Sequence, residues 1–212
     1  MNIDYIEADK LLFDPRPQMG RIFAHGFYQW LKYFSKDAEL LSEAFEHIFD
    51  LSRFFVAKHS NEIIAITACT DGKAAPIRLD RKTLCRVLGC IRGSIAYIML
   101  TKHLVNHAYP FELPPQTLSI EFVATAQEHR GKGAAYGLIA HIMGVIPHAE
   151  YVLEVADTNE AAVRLYEKAG FVVFERVPAP KRGGFNYYLY MKTVGLNKVD
   201  MAIGVNAEDS TK

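Results

Sequence analysis

The stretch QEHRGKGAAYG, residues 127–137, constrains this chain more than any other. It gathers Arg130, Lys132 and three glycines directly after the run LSIEFVAT and directly before LIAHIMGVI. A period of two gives way there to helical spacing, so a strand must pass into a helix through a turn with few side chains. A helix N-terminus leaves its first N–H groups without intrahelical partners and carries partial positive charge. Glycine and alanine keep those donors uncovered, and two cations stand beside them. The string can be a well-made turn and nothing more, or the amides of Gly131 to Tyr136 can cradle an anion.

The rest of the chain supplies the setting. Residues 1–50 carry a helical pattern: MGRIFAHGFYQWLKYF places Ile22, Phe23, Phe27, Trp30, Leu31 and Phe34 on one broad face, and DAELLSEAFEHIFDL repeats the spacing. RFFVAKH and IIAITAC then read as a hairpin around SNE. A second helical block runs from about Asp80 to His107, with Gly89 and Gly93 breaking it, and Pro110, Pro114 and Pro115 end it. TLSIEFVAT is the next strand, GKGAAYGLIAHIMGVI a helix, YVLEVAD a strand, and TNEAAVRLYEKAG a helix with Thr158 as N-cap and Gly170 at its stop. FVVFERV and FNYYLYMKTV are the last strands, joined by the basic loop PAPKRGG. Strand and helix alternate through the second half, which predicts an α/β sheet covered by helices with an antiparallel pair at one end. Residues 1–192 read as a single domain, with 72–116 as a helical insertion and 117–177 as the motif-bearing core. Residues 193–212 show no period.

Half of the residues are hydrophobic and 23% are charged, enough for a packed core. Lys plus Arg equals Asp plus Glu at 24 each, which argues against a partner gripped by overall charge, nucleic acid above all. Cys69, Cys85 and Cys90 form no Cys-x-x-Cys pair and suit a reduced, cytoplasmic compartment. MNIDYIEADK has no apolar segment of signal-peptide type, and the most apolar stretch contains Arg92 and Lys102, so no membrane span is expected. His103 and His107 lie four apart, but HLVNH lacks the glutamate of a zinc protease, and no metal is expected. Cys85 has no activating neighbour and reads as a buried thiol.

A dinucleotide fold would also use a glycine turn after a strand, with Glu154 as its ribose-binding acid. Its third glycine fails, because position 136 is Tyr and Gly137 comes one residue late. A P-loop is excluded by the absence of Gly-Lys-Ser/Thr. The downstream segment NEAAVRLYEKAGF, with Asn159, Ala162, Leu165, Tyr166, Gly170 and Phe171, decides between the readings. Together with Arg130, Gly131, Lys132, Gly133, Ala134 and Ala135 it resembles the GNAT superfamily of N-acetyltransferases, over about residues 51–192.

That resemblance implies a mixed, mostly antiparallel α/β sheet with helices on both faces, acetyl-CoA as acyl donor, and an amine acceptor. It also implies that residues 130–136 hold the pyrophosphate. Val123, Ala124 and Thr125 would line the cofactor from the strand, and Asn159, Ala162 and Tyr166 from the later helix. Glu121 is the candidate base, since an alkylammonium of pKa near 10 is only about one part in a thousand neutral at pH 7. By the period of two, Ser119, Glu121 and Val123 share one strand face. A splay of this strand would free an amide near Val123 to polarise the thioester. Tyr166 would return a proton to the leaving thiolate, and Tyr188 and Tyr190 are candidates to reach the acceptor. The insertion is expected to wall the acceptor side. A non-catalytic CoA-sensing module on the same fold and a nicotinamide oxidoreductase are the alternatives; a homodimer and the acceptor's identity stay open.

Overall fold

The computed structural model describes residues 2–106, 108–146, 150–180 and 184–194. Seven strands form one sheet in the order β1-β2-β3-β4-β5-β7-β6. They are β1 (Asp4–Glu7), β2 (Phe54–His59), β3 (Glu62–Thr70), β4 (Thr117–Thr125), β5 (Glu150–Ala156), β6 (Val172–Pro178) and β7 (Tyr187–Val194). Every neighbouring pair is antiparallel except β4 and β5. The expected mixed, mostly antiparallel sheet is what forms.

Two apolar layers sandwich it. On one face lie α1 (Arg16–Gly26), α2 (Tyr28–Leu31), α3 (Ala38–Phe45), α4 (Arg81–Leu88) and α5 (Cys90–Leu100). Their Met19, Phe23, Leu41, Phe45 and Leu84 pack on Phe54, Val56, Ile66 and Ala68 of the sheet. On the other face, α6 (Ala134–Val145) and α7 (Glu160–Lys168) bury Leu138, Ile139, Ile142 and Tyr166 against Ile64, Ile120, Tyr151, Leu153 and Met191. Side chains alternate across a strand, so one strand feeds both layers: Ala65 and Ile66 point to opposite cores.

Several local expectations change. Residues 1–50 are not helical throughout, because Asp4–Glu7 forms an edge strand on β2. Four residues of mixed polarity carry no readable period; a sheet edge recruits them. Gly89, at φ 83, separates α4 from α5, whereas Gly93 lies inside α5. A Cβ at Gly93 would stand 2.5 Å from the backbone of Leu84, so this glycine lets the two helices touch rather than breaking one. Trp30 is 41% exposed and leaves the apolar face, since the chain turns at Phe27 between α1 and α2. Asn159, not Thr158, caps α7, its Oδ1 accepting from the Ala162 N–H at 3.3 Å. His107, part of the basic 178–184 loop and most of the 193–212 tail lie outside the described residues.

Candidate functional site

The parallel pair is short. β4 and β5 join only through Thr117–Ser119 against Glu150–Val152, yet β4 runs on to Thr125 and β5 to Ala156. Beyond Ser119 and Val152 the strands part, and the sheet opens a fork at its centre. The splay expected from the resemblance is therefore present.

At the far end of β4, a short 3₁₀ turn (Gln127–His129) leads to Arg130, whose Nε lies 3.5 Å from the Thr125 carbonyl oxygen. Gly131 and Gly133 follow at φ 74 and 81, where a side-chain-bearing residue is strained. A Cβ on either would meet nothing within 4 Å, so backbone conformation, not crowding, calls for glycine there. The outer surface of the turn is open.

Gly133 is the N-cap of α6 and brings no capping side chain; the first helical bond is Gly137 N–H to the Gly133 carbonyl at 2.9 Å. The amides of Gly133, Ala134, Ala135 and Tyr136 thus have no partner within the helix. Arg130 and Lys132 are exposed beside them. Lys168 of α7 brings a third cation, its Nζ 4.9 Å from the centroid of the Tyr136 ring. The first turn of α6 can hold a multiply charged anion. Gly137, the glycine one residue late for a dinucleotide turn, has another role: a Cβ there would collide with the hydroxyl of Tyr5, which packs on α6 from β1.

Glu121 lies two residues past the last β4–β5 pair. One of its carboxylate oxygens accepts from the Thr70 hydroxyl at 2.6 Å. The expected face-sharing with Val123 does not occur. Ile66 pairs with Ala124 and Ala68 with Glu121, so two residues of β4, Phe122 and Val123, oppose Thr67 alone. Phe122 sits at φ 53, and its ring packs among Phe23, Phe27 and Phe54 with centroid distances of 5.9, 5.9 and 6.5 Å. This bulge breaks the alternation: Glu121 and Phe122 both face the N-terminal helices, and Val123 faces α6. The Thr67 hydroxyl donates to the Glu121 carbonyl at 3.0 Å. Left-handed backbone at a phenylalanine costs about 1–3 kcal/mol and persists only where the surroundings impose it, commonly at functional sites. Here three phenylalanine rings surround it.

Val123, Ala124 and Thr125 line β4 between the fork and the turn. Ala162 is half-buried on α7, and Asn159 spends its oxygen on the cap. Tyr166 is 6% exposed and packs on Phe171, with ring centroids 6.1 Å apart. Burial alone pushes its phenol above the usual value, which weakens it as a proton donor to a thiolate.

Near the fork, Thr70 and Tyr109 were not singled out from the sequence, whereas Tyr190 was a candidate to reach the acceptor and Glu154 entered only as the ribose-binding acid of the dinucleotide reading. Thr70 holds Glu121 from β3. The Tyr109 hydroxyl lies 2.6 Å from the Ser119 Oγ. Tyr190 pairs with Glu154 across β7 and β5, and its ring lies 5.8 Å from that of Tyr109. The alternating aromatics of FNYYLY hinted at Tyr190; nothing local marks Tyr109, which sits in a proline-rich connection. Ligand atoms of Glu62, Glu128 and His129 come within 4.8 Å of one another, but both acids are exposed and the group reads as a surface contact at the hairpin end, with His129 Nε2 3.3 Å from Glu62.

Residues 18–171 match the Acetyltransferase (GNAT) family. The chain belongs to that family. The motif-bearing turn, both strands of the fork and α7 all fall inside the matched GNAT segment. A 5-NmdU N-acetyltransferase of Pseudomonas phage PaMx11 is 39% identical over 59 residues, which is 28% of this chain and 41% of that protein. The match thus spans less than half of the phage relative. Among solved structures, an N-acetyltransferase from Staphylococcus aureus Mu50 superposes with a TM-score of 0.60 at 17% identity, covering 90% of this chain and all of that one (100%). YncA, a putative acetyltransferase from Salmonella typhimurium solved with acetyl-CoA, gives 0.55 at 14% identity, covering 92% and 95%. A chimera of Vibrio cholerae spermidine N-acetyltransferase SpeG and hSSAT gives 0.55 at 18%, covering 92% and 96%. At these identities the structures share the GNAT fold with this chain.

Proposed function

We propose that this protein transfers an acetyl group from acetyl-CoA to a primary amine by direct attack within a ternary complex. The observation that carries the reading is the line formed by the open β4–β5 fork and the uncovered N-terminus of α6, joined by Val123–Thr125. The amides of Gly133 to Tyr136, with Arg130, Lys132 and Lys168 nearby, would hold the pyrophosphate. The pantetheine arm would run along β4 toward the fork, where the thioester meets the amine near Glu121.

The chemistry needs three events. The amine loses a proton, its nitrogen bonds the acetyl carbon, and the C–S bond breaks to release a thiolate that must be protonated. Glu121, oriented by the Thr70 hydroxyl, would take the amine proton directly or through water, an effect typically worth about 10²–10⁴ in rate. An amide beside the Phe122 bulge would stabilise the oxyanion. Tyr166 would complete the cycle by protonating the thiolate, although its burial makes it a weak acid. Part of the wall on the Glu121 side comes from the 72–116 segment through Tyr109 and Phe111. The phage relative's acceptor, 5-NmdU, belongs first in an acceptor screen. Unpaired cysteines and, among the described residues, no helix long and apolar enough to cross a membrane support a cytoplasmic location.

Thermal shift with acetyl-CoA, and with NAD beside it, tests the reading. At a hundredfold excess over Kd, acetyl-CoA should stabilise the wild type by about 2.7 kcal/mol. Gly133→Glu, which puts a carboxylate in front of the donors, should fold and lose that response. Stabilisation by NAD alone, or by neither ligand, would sink the assignment.

A further inference from the structure

Which amine the fork accepts can be narrowed, on the assumption that the reading above is right. Glu121 and Glu154 each stand two residues beyond the last β4–β5 pair, Ser119 with Val152. Both face the N-terminal helices: Glu121 bonds Thr70, which pairs with Ser119, and Glu154 lies two positions from Val152. Their carboxylates therefore flank the opening from opposite strands.

Tyr109 stands over the same opening, anchored by its hydroxyl at 2.6 Å from Ser119 Oγ. Burial lifts its phenol far above the usual value, the hydrogen bond with Ser119 offsets part of that, and the charges of Glu121 and Glu154 add to the rise. Tyr190, lifted by burial and then by Glu154, packs 5.8 Å from Tyr109 and 5.1 Å from Phe111. Tyr188 feels Glu154 as well. Two carboxylates and several aromatic faces thus meet at one place in a chain of zero net charge.

We propose that this place is the acceptor site and that it selects a cationic alkylamine without a neighbouring carboxylate. Glu154 binds the acceptor's charge from β5 while Glu121 serves the reacting nitrogen from β4. The faces of Tyr109 and Tyr190 border the path of the ammonium, where a cation gains from aromatic rings. A carboxylate on the acceptor would be repelled by both acids, and such like-charge contacts discriminate strongly between partners.

Steady-state acetylation of cadaverine, tyramine and glycine by the wild type, Glu154→Gln and Glu154→Asp is the test. The wild type should use both cations with a KM about tenfold or more below that for glycine. Glu154→Gln should raise KM for cadaverine about tenfold or more while kcat stays within about threefold, and Glu154→Asp should recover most of the loss. All three proteins should keep the acetyl-CoA thermal shift, which also reports that they fold. Equal KM for cations and glycine, an unchanged KM in Glu154→Gln, or retained acetyl-CoA binding with no acetylation of either cation would overturn this proposal alone. A wild type that acetyl-CoA fails to stabilise would overturn the parent reading and this one with it.

Discussion

Glu121 and Cys69 show how much a side chain's surroundings decide. Glu121 is placed by a hydroxyl from β3 and by a bulge one residue on, so its role belongs to the arrangement rather than to the carboxylate alone. Glu121→Gln keeps size and hydrogen bonding but cannot take a proton. We expect kcat/KM to fall by about 10²–10⁴ with the acetyl-CoA thermal shift intact, and rising pH should recover part of the rate as more amine is neutral. A loss below threefold would remove Glu121 from the chemistry. Cys69 lies on the opposite face of the same sheet region; burial first, and then the charge of Glu121, pushes its thiol up to about 12. At pH 8 only about one part in ten thousand is thiolate. Iodoacetamide at pH 8 should therefore alkylate the exposed Cys90 and spare Cys69 until the protein is denatured, as peptide mass analysis would read. Native labelling of Cys69 at the rate of Cys90 would contradict this environment.

Among the elements, the helix ends carry most of the consequence. α6 starts at a glycine with no side-chain cap, whereas α3, α4 and α7 start at Asp37, Asp80 and Asn159, each accepting from amides of its first turn. α1, α2 and α5 also lack a side-chain cap, so what sets α6 apart is the cations Arg130, Lys132 and Lys168 beside its first turn. Asp80 also joins α4 to the N-terminal helices, because its backbone N–H donates to His47 Nε2 at 3.0 Å. Burial holds the His47 imidazole below its usual pKa, and the nearby Asp80 carboxylate offsets only part of that. A base with a lowered folded pKa binds fewer protons folded than unfolded, so its contribution is complete above the unfolded value of about 6.5 and is lost as pH falls toward the lowered one. Melting temperature should fall between pH 7.5 and 5, and His47→Gln, which can still accept from Asp80, should flatten that drop. A wild-type curve superimposable on the mutant's would refute the assignment.

At the scale of the whole molecule, the sheet divides two jobs between its faces. α6 and α7 on one face carry the proposed pyrophosphate turn and Tyr166, while the helices and the proline-rich connection on the other supply Tyr109, Phe111 and the rings around Phe122. The fork in the middle is where both faces can reach one reacting centre. The expectation belonging to this scale is independence: Gly133→Glu should abolish the acetyl-CoA response without altering the fold, and Glu154→Gln should change acceptor KM without altering that response.

The sequence by itself determined the elements of the second half, the turn at 127–137 and the family. These rest on local physics: period two against period 3.6, glycine where φ is positive, and amides with no side chain in front of them. It also marked Glu121 and Tyr166 as candidates, through the family resemblance and, for Glu121, as a lone acid in an otherwise apolar strand. Only the tertiary structure decided that DYIE is an edge strand, that Phe122 flips the face of Val123, and that Tyr109 stands over Ser119. Each of these depends on partners distant along the chain: β2 for DYIE, rings from α1 and β2 for Phe122, and β4 for Tyr109. Local propensity constrains a residue's own dihedrals, but which strands part, and what lines the gap, is a property of the packed sheet.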